Sequence, residues 1–358
     1  MKFSEIYSVI EECVRHKVAF AAYALPHSDD YCFFEDTSPQ AGTKADLNSF
    51  SGFAAGFFGK DQPLYSVGNF REEGTELCFE KYNSKETANT VSPTTDHDLY
   101  VAKLCSLIAG FGSLEEKAVV SRVLNVESRK SPVCVAWDYF RDQKSCFRHI
   151  YYMPVTGLWF GATPELLIEY RKSAGEFRTM SLAGTRLCGG QSPWDDKNIH
   201  EHNLVTRHIV DVFGDMGLDP VVGEATAVKF GRVEHLCHEI TGRGVADMND
   251  LYSRLNPTPA VCGYPHELAL ERIAQAETHE RRCYGGAIAV ASDDVIKLFV
   301  NLRCASVSEL PDGSYSYGLY AGGGINAMSD PEDEWREAGL KMQPLYEAVT
   351  GSRMTVDV

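Results

Sequence analysis

The sequence predicts an α+β fold built in layers, and three observations lead to that prediction. Short apolar runs with the length of β-strands recur along the chain, separated by glycine, proline and aspartate. Segments with helical spacing punctuate these runs without the regular strand–helix alternation of a parallel sheet. The chain has 358 residues, 44% of them hydrophobic, so it can bury a sizeable core in two domains or in one large layered domain.

Helices are predicted near both ends of the chain and at intervals between them. Apolar residues at helical spacing indicate helices over about 3–14, 96–108, 193–213 and 266–276, and a last one from Pro331 onward. Strands and loops are expected between 17 and 86. Further strands are predicted over 117–126, 131–140, 146–154, 158–170, 177–186, 284–292, 295–307 and 315–325.

Composition limits the possible partners and the compartment. The net charge of −16 argues against nucleic acid or an anionic membrane surface as a partner. The eleven cysteines are scattered singly without a Cys-x-x-Cys pair, which suits reduced thiols better than disulfides or a zinc site. The start of the chain lacks the apolar run of a secretory signal, and no apolar run of about 18 residues occurs later. We therefore expect a cytoplasmic protein.

Two glutamates near the C terminus border a face of the last helix that is predicted to be buried. Asp330 followed by Pro331 is typical of a helix start. Glu334, Glu337 and Lys341 are three and four residues apart on a strip beside the apolar stripe. Carboxylates at the edge of a buried surface repel each other, and a bound Mg2+ ion would relieve that repulsion. A solvated helix flank with a Glu337–Lys341 pair explains the same pattern.

Three further polar residues interrupt apolar, strand-like sequence. Lys117 begins a predicted buried strand, where it either extends to water or, if desolvated near other cations, acts as a base. Glu165 precedes an apolar run, so it is either an exposed edge residue or a general acid with a raised pKa. Arg303 lies within an apolar run, where a guanidinium is either structural or a receptor for a carboxylate.

Two familiar motifs are excluded by their spacing. A zinc-binding helix that used His200 and Glu201 would need a histidine at position 204, where Leu204 stands. Gly322 and Gly324 match the beginning of a dinucleotide-binding fingerprint, but the next helix starts several residues too late to meet a pyrophosphate. We expect neither site.

A series of motifs resembles the chorismate-utilising enzymes, in the order that this family has them. In chain order they are GATPELLIEY, SLAGTR, DKNIHEHNLV, VEHL, NPTPAVCGYP, RRCYGGAIAV, VNLRCA and YAGGGI followed by SDPEDEWREAGLK. The resemblance covers about residues 96–350 and is closest to isochorismate synthase. It implies the fold of the large subunit of anthranilate synthase, with large layered antiparallel sheets and helices packed outside them.

The resemblance also implies a role for each candidate residue. Glu201 and Glu337 would ligate Mg2+ with support from Glu334, and the metal would hold the ring carboxylate of chorismate. Lys117 would activate water for attack at C2, and Glu165 would protonate the departing C4 hydroxyl. The implied substrate-binding residues are Gly184 and Thr185 near the ring carboxylate, His235 beside the ring, and Tyr284, Arg303, Gly322 and Lys341 around the enolpyruvyl carboxylate.

Three positions favour one branch of the family. The position of Lys117 resembles glutamine in the ammonia-using relatives and is lysine in the water-using ones. Water needs a base to attack C2, whereas ammonia does not. Residues 182–185 read LAGT at the site where the sequence of aminodeoxychorismate synthases resembles PIKGT. The lysine nucleophile of those enzymes is therefore missing here. Salicylate-forming relatives tend to have threonine at Ala260, a further predicted substrate-binding residue. Isochorismate synthase is therefore predicted, with salicylate synthase and the ammonia-using subunits as alternatives.

The sequence thus predicts an Mg2+-dependent isomerase of chorismate that needs no obligatory glutaminase subunit and serves menaquinone or siderophore biosynthesis. Residues 96–350 would form the catalytic domain, and residues 1–95 a shortened N-terminal portion of the same fold. Asn198 departs from the family, in which an acidic residue often stands three positions before the metal glutamate. A non-catalytic chorismate-binding protein is the remaining alternative, and the presence of Lys117 and Glu165 counts against it.

Overall fold

The described strands form two large antiparallel sheets, and the helices lie outside them. The structure is a computed structural model that describes residues 1–36, 43–67, 69–70, 91–113, 115–189, 193–231 and 233–354. Its helices are α1 (Phe3–His16), α2 (His97–Ala109), α3 (Pro132–Phe140), α4 (Asp196–Asp215), α5 (Met248–Leu255), α6 (His266–Ala276) and α7 (Pro331–Thr350). Its strands are β1 (Ala19–Ala24), β2 (Cys32–Asp36), β3 (Thr43–Lys44), β4 (Gly52–Gly56), β5 (Leu64–Val67), β6 (Asn69–Phe70), β7 (Lys117–Ser128), β8 (Phe147–Met153), β9 (Gly157–Thr163), β10 (Leu166–Arg171), β11 (Glu176–Leu187), β12 (Val221–Val222), β13 (Thr226–Phe230), β14 (Val233–Arg243), β15 (Gly263–Tyr264), β16 (Ala287–Ala291), β17 (Val295–Val300), β18 (Cys304–Glu309) and β19 (Tyr315–Ile325).

Strands from the whole described chain contribute to both sheets. The first sheet has the order β15-β7-β19-β18-β9-β8-β1-β2-β6. The second has the order β12-β14-β11-β10-β17-β16-β4-β5-β3, with β13 also paired to β14. β1 pairs with β8 in the first sheet, and β4 pairs with β16 in the second. The N-terminal strands therefore belong to the same two sheets as the later strands. The division of the chain at residue 95 stays a prediction.

Aromatic and aliphatic side chains fill the space between the sheets. The ring of Phe147 on β8 stacks on that of Phe299 on β17, with centroids 4.1 Å apart, and so joins one sheet to the other. The outer faces are covered by helices: α1, α3 and α7 pack mainly on the first sheet, and α4 and α5 pack on the second. The predicted layered α+β fold with helices outside is confirmed.

Helix starts follow local capping signals. Asp330 accepts hydrogen bonds from the backbone N–H groups of Glu332 and Asp333 at 3.0 Å, and Pro331 opens α7, as predicted. The strand prediction for 131–140 is wrong, because this apolar segment forms α3. Ser131 accepts from the N–H of Cys134 there, so a cap and a following proline start a helix that the apolar run alone did not indicate. In the described part of the chain, no helix is long and apolar enough to span a membrane.

Candidate functional site

One cavity, where strands of both sheets meet α4 and α7, collects most of the predicted site residues. Those that line it are Glu165, Gly184, Thr185, Glu201, His235, Ala260, Tyr284, Arg303, Gly322 and Lys341. The other three stand directly behind this wall. Lys117 pairs with Glu201, Glu337 pairs with Lys341, and Glu334 lies against Gly323.

Lys117 and Glu201 form a buried ion pair at the wall of the cavity. Lys117 begins β7 and is 1% exposed, and its Nζ lies 2.8 Å from Oε1 of Glu201 on α4. Burial opposes the charge of Glu201, but Lys117 and then Lys197 lower the pKa of this carboxyl. The pair is possible because Gly324 of β19 has no side chain. A Cβ there would overlap Glu201 Oε1 and would lie 2.7 Å from Lys117 Cε.

Glu334 lies behind the glycines of β19 with one oxygen paired and one alone. Its Oε1 accepts from Lys197 Nζ at 2.5 Å and from Ser329 Oγ at 3.0 Å. Its Oε2 is buried and has no hydrogen-bond partner among the described residues. A Cβ on Gly323 would overlap that oxygen. Burial raises the pKa of Glu334, and the negative charge of Glu337 adds to this effect against the opposing charge of Lys197.

The residues present fit a hard divalent cation. Glu201, Glu334 and Glu337 are close enough to influence one another's pKa, and Mg2+ prefers such oxygen ligands. The unpartnered buried oxygen of Glu334 is a free acceptor in this group. Within the residues that the structure describes, these side chains do not converge as a preformed metal centre. A physical reason is that each carboxylate is turned toward a lysine of its own, as Glu337 is toward Lys341 at 2.6 Å.

Arg303 and His235 bind each other across the cavity wall. The prediction that Arg303 lies inside a strand is wrong. Arg303 lies in the short turn between β17 and β18, with a φ of 48°. Its Nη2 is 3.2 Å from Nε2 of His235. Because a guanidinium only donates, Nε2 accepts and Nδ1 carries the proton, which it can donate to the carbonyl of Gly184 at 3.1 Å. Burial, followed by the charge of Arg303, holds the pKa of His235 well below its usual range.

Arg303 therefore offers a positive charge to the cavity. In the described part of the chain its side chain forms no ion pair with a carboxylate, and its recorded partner is the neutral ring of His235. Close by, Lys341 Nζ donates to the carbonyl of Gly322 at 2.8 Å, and a Cβ on Gly322 would lie 3.1 Å from the hydroxyl of Tyr284. This corner of the cavity suits an anionic ligand.

Gly184 and Thr185 occupy an irregularity in β11 where the pairing with β14 shifts. Gly184 has a φ of 77°, a conformation that favours glycine. The backbone N–H of Thr185 donates to Oδ1 of Asn198 at 2.8 Å, while Nδ2 of Asn198 donates to Asp195 at 2.8 Å. The residue that departs from the family pattern thus fixes the Gly184–Thr185 segment. It also takes up the Thr185 N–H, while the Thr185 hydroxyl lies 3.2 Å from Nδ1 of His235.

Glu165 is a buried carboxyl at the cavity. It lies between β9 and β10 and is 4% exposed, so the alternative of an exposed edge residue is wrong. Burial raises the pKa of Glu165 to about 8, although the charge of Lys117 opposes the shift. At neutral pH this side chain is therefore mainly protonated and can donate a proton into the cavity.

Lys197 belongs to the site but was not singled out from the sequence. It stands four residues before Glu201 on α4, so both side chains project from the same face of that helix. This spacing of four residues is the feature of the sequence that could have indicated Lys197. A lysine in the first turn of a helix is otherwise typical of an ordinary solvated residue.

Comparisons with known proteins show which family this chain resembles. Residues 80–350 match the family described as "Chorismate binding enzyme". Isochorismate synthase EntC of Escherichia coli is 31% identical over 203 residues, which cover 53% of this chain and 50% of EntC. A protein named MenF from Mycobacterium tuberculosis is 32% identical over 295 residues, covering 73% of this chain and 75% of that protein. The match thus spans about half the length of the first relative and three quarters of the second.

The fold has a counterpart among solved structures. MenF, described as the menaquinone-specific isochorismate synthase from Escherichia coli, superposes with a TM-score of 0.73 over 93% of this chain and 89% of that chain. Its sequence identity of 20% limits this likeness to the fold. The family match, by contrast, covers most of the chain and all the cavity residues described above. This chain belongs to the chorismate-binding enzymes.

Proposed function

We propose that the protein isomerises chorismate to isochorismate, by adding water at C2 and releasing the C4 hydroxyl. The observation that carries this proposal is Glu165, a protonated carboxyl on the wall of the cavity that also holds Arg303 and the Lys117–Glu201 pair. A departing hydroxyl needs a proton at neutral pH, and a carboxyl with a pKa of about 8 supplies one. The similarity to isochorismate synthases supports the choice of reaction.

Lys117 is the base of this proposal. Its ammonium group pairs with Glu201, and because only the neutral amine can accept a proton, Lys117 must first release a proton to solvent before it acts as the base. Lys117 then takes a proton from water as the water oxygen bonds to C2. The ring double bond shifts, the C4–O bond breaks, and Glu165 gives its proton to the leaving hydroxyl, which departs as water. Atoms balance, because one water enters and one leaves.

Glu201 and Glu337, with Glu334 in support, are the residues that would hold Mg2+. Bound there, the ion would neutralise these carboxylates together with the ring carboxylate of chorismate. The Thr185 hydroxyl and the N–H of Gly184 would orient the same carboxylate. The grouping of three carboxylates and the unpartnered Oε2 of Glu334 support this assignment.

Arg303, Tyr284, Lys341 and the backbone at Gly322 would bind the enolpyruvyl carboxylate. Chorismate is a dianion and the protein carries a net charge of −16, so binding needs local cations. Arg303 and the site lysines provide them at this cavity. His235, held neutral by burial and by Arg303, would contribute a ring face and no charge.

The test is incubation of the purified protein with chorismate and Mg2+ in the absence of ammonia, with products identified by chromatography and mass spectrometry. Isochorismate without salicylate is expected, and EDTA should abolish it until Mg2+ is restored. Salicylate with pyruvate would overturn the choice of branch and the argument from Ala260. Turnover only with ammonia would refute Lys117 as the base, and no turnover would favour a non-catalytic binding protein.

Three finer points belong to the same proposal. Turnover without ammonia or a second protein would support the absence of an obligatory glutaminase subunit. The product would enter menaquinone or siderophore biosynthesis. We expect the protein to act in the cytoplasm.

A further inference from the structure

Each carboxylate of the proposed metal site forms an ion pair with a different lysine. Three glutamates each have a lysine partner: Glu201 with Lys117 at 2.8 Å, Glu334 with Lys197 at 2.5 Å, and Glu337 with Lys341 at 2.6 Å. The proposed function uses Lys117 as a base and Lys341 for the substrate, but it gives Lys197 nothing to do. Lys197 is the cation whose presence remains to be explained.

Lys197 is surrounded by negative charge. Its side chain is 21% exposed, and that of its partner Glu334 is 3% exposed. Burial lowers the pKa of Lys197, but Glu334, followed by Glu201 and Glu337, more than offsets this and raises it. Lys197 therefore remains a cation at any working pH. Since Lys197 belongs to α4 and Glu334 to α7, the pair also holds these two helices together at the cavity.

We propose that Lys197 is a built-in counter-cation of the carboxylate cluster, which keeps the three glutamates together without a metal and competes with a divalent cation for Glu334. This inference rests on the metal site of the proposed function. It differs from that proposal because it concerns the strength of metal binding, which is measurable without turnover.

The argument is electrostatic. A cation bound by Glu334 must either displace the Lys197 ammonium from Oε1 or bind beside it, and like charges at such distances repel strongly when water is largely excluded. A neutral side chain at position 197 removes that repulsion, and Oε1 of Glu334 then keeps only the hydrogen bond from Ser329 Oγ among the partners described above. The divalent cation should then bind more tightly. In the metal-free protein the same change leaves a buried carboxylate without its cationic partner, which destabilises the fold.

The test measures binding of Mn2+, a paramagnetic probe, to the full-length protein by electron paramagnetic resonance, with Mg2+ as competitor. Lys197→Met should bind Mn2+ about tenfold more tightly than the wild type, which corresponds to about 1.4 kcal/mol. Lys197→Arg, which keeps the charge, should bind with near wild-type affinity. Unchanged or weaker Mn2+ binding by Lys197→Met would overturn the inference and make Lys197 a residue that positions Glu334 for the metal.

Lys297→Met is the matched control. Lys297 forms a pair with Glu169 at 3.1 Å and is 25% exposed, so its removal changes the net charge equally and disturbs a pair of similar burial. Neither residue lines the cavity. Its Mn2+ affinity should equal that of the wild type. Tightening in Lys297→Met as well would show a general charge effect and overturn the assignment to Lys197.

Thermal unfolding gives a second readout. In EDTA, Lys197→Met should melt at a lower temperature than the wild type, and saturating Mn2+ should raise its Tm by more than that of the wild type. If Lys197→Met does not fold, Lys197→Gln retains a donor for Glu334 without the charge and should show the same tighter binding. Wild-type protein that binds Mn2+ in this pattern but makes no isochorismate would refute the proposed function alone. Wild-type protein that binds no Mn2+ would refute this inference.

Discussion

The ammonium group of Lys117 lies 2.8 Å from the carboxylate of Glu201, and the two side chains are almost completely shielded from water. Lys117→Met should therefore lose turnover of chorismate by about 100-fold or more, because no other base replaces it. It should also lower the Tm, since loss of one partner leaves a buried charge unpaired. Product chromatography and thermal unfolding measure the two effects.

The double variant Lys117→Met/Glu201→Gln separates these effects. It removes both charges, so the Tm should recover toward that of the wild type while turnover stays lost. Recovery of turnover in the double variant would contradict the assignment of Lys117 as the base.

The reaction should fail at alkaline pH. Glu165 acts in its protonated form, and its pKa is raised to about 8, so kcat/KM for chorismate should fall as the pH rises through about 8. Glu165→Gln cannot donate a proton in this way and should lose turnover by about 100-fold or more at every pH. A pH–rate profile that stays flat to pH 9.5 would exclude Glu165 as the acid.

Glu165 should also make stability depend on pH. Its pKa is higher in the folded protein than the ordinary value of 4.5, so the native state retains a proton that the unfolded chain releases. The stability that this proton contributes is complete below about pH 4.5 and is lost as the pH rises toward 8. Glu165→Gln should lie within about 1 kcal/mol of the wild type at pH 5 and exceed its free energy of unfolding at pH 8 by about 4 kcal/mol. Urea unfolding at the two pH values checks this, and an equal difference at both would contradict it.

Loss of Arg303 should weaken substrate binding more than it slows the chemistry. Charge-assisted hydrogen bonds contribute about 1.5–3 kcal/mol, so Arg303→Gln should raise the KM for chorismate by roughly 10- to 100-fold. Arg178→Gln is the control, because Arg178 is an exposed partner of Glu169 away from the cavity and its loss should leave the KM unchanged. An unchanged KM in Arg303→Gln would assign Arg303 a structural role with His235.

A methyl group at Gly324 should disrupt the site. The added Cβ would overlap Glu201 Oε1 and crowd Lys117, so Gly324→Ala should lower both turnover and the Tm. Gly214→Ala adds the same group where nothing lies within 4 Å, on α4, and should leave the Tm unchanged or raise it slightly. Wild-type activity in Gly324→Ala would mean that the Lys117–Glu201 pair is not required.

Local signals in the sequence were sufficient for several helices. The start of α7 was predicted because Asp330 and Pro331 act on the backbone within one turn, where tertiary context matters little. The apolar run of segment 131–140 carries no clear period and so favours a strand, whereas the cap at Ser131 and the following proline favour the helix that forms. Its burial between α1 and α7 fits either type of element.

The arrangement of the site was much harder to predict from the residues themselves. The pairing of Lys117 with Glu201 depends on the approach of β7 to α4, which no local pattern encodes. The resemblance to a family supplied the candidate positions, and the structure then placed them around one cavity. The spacing of Lys197 to Glu201 does not by itself identify a site residue, because the acidic neighbours of Lys197 on α7 are distant in the sequence.

The turn that carries Arg303 has a consequence for the mechanics of the whole molecule. There the chain leaves β17 in the second sheet and enters β18 in the first, and His235 and Gly324 belong to opposite sheets. A ligand that contacts both sheets therefore stabilises the packing of the first sheet against the second. At a concentration of one hundred times its Kd it would add about 2.7 kcal/mol against separation of the layers. Conversely, loosening the interior at the stacked rings of Phe147 and Phe299 would weaken ligand affinity without touching the cavity.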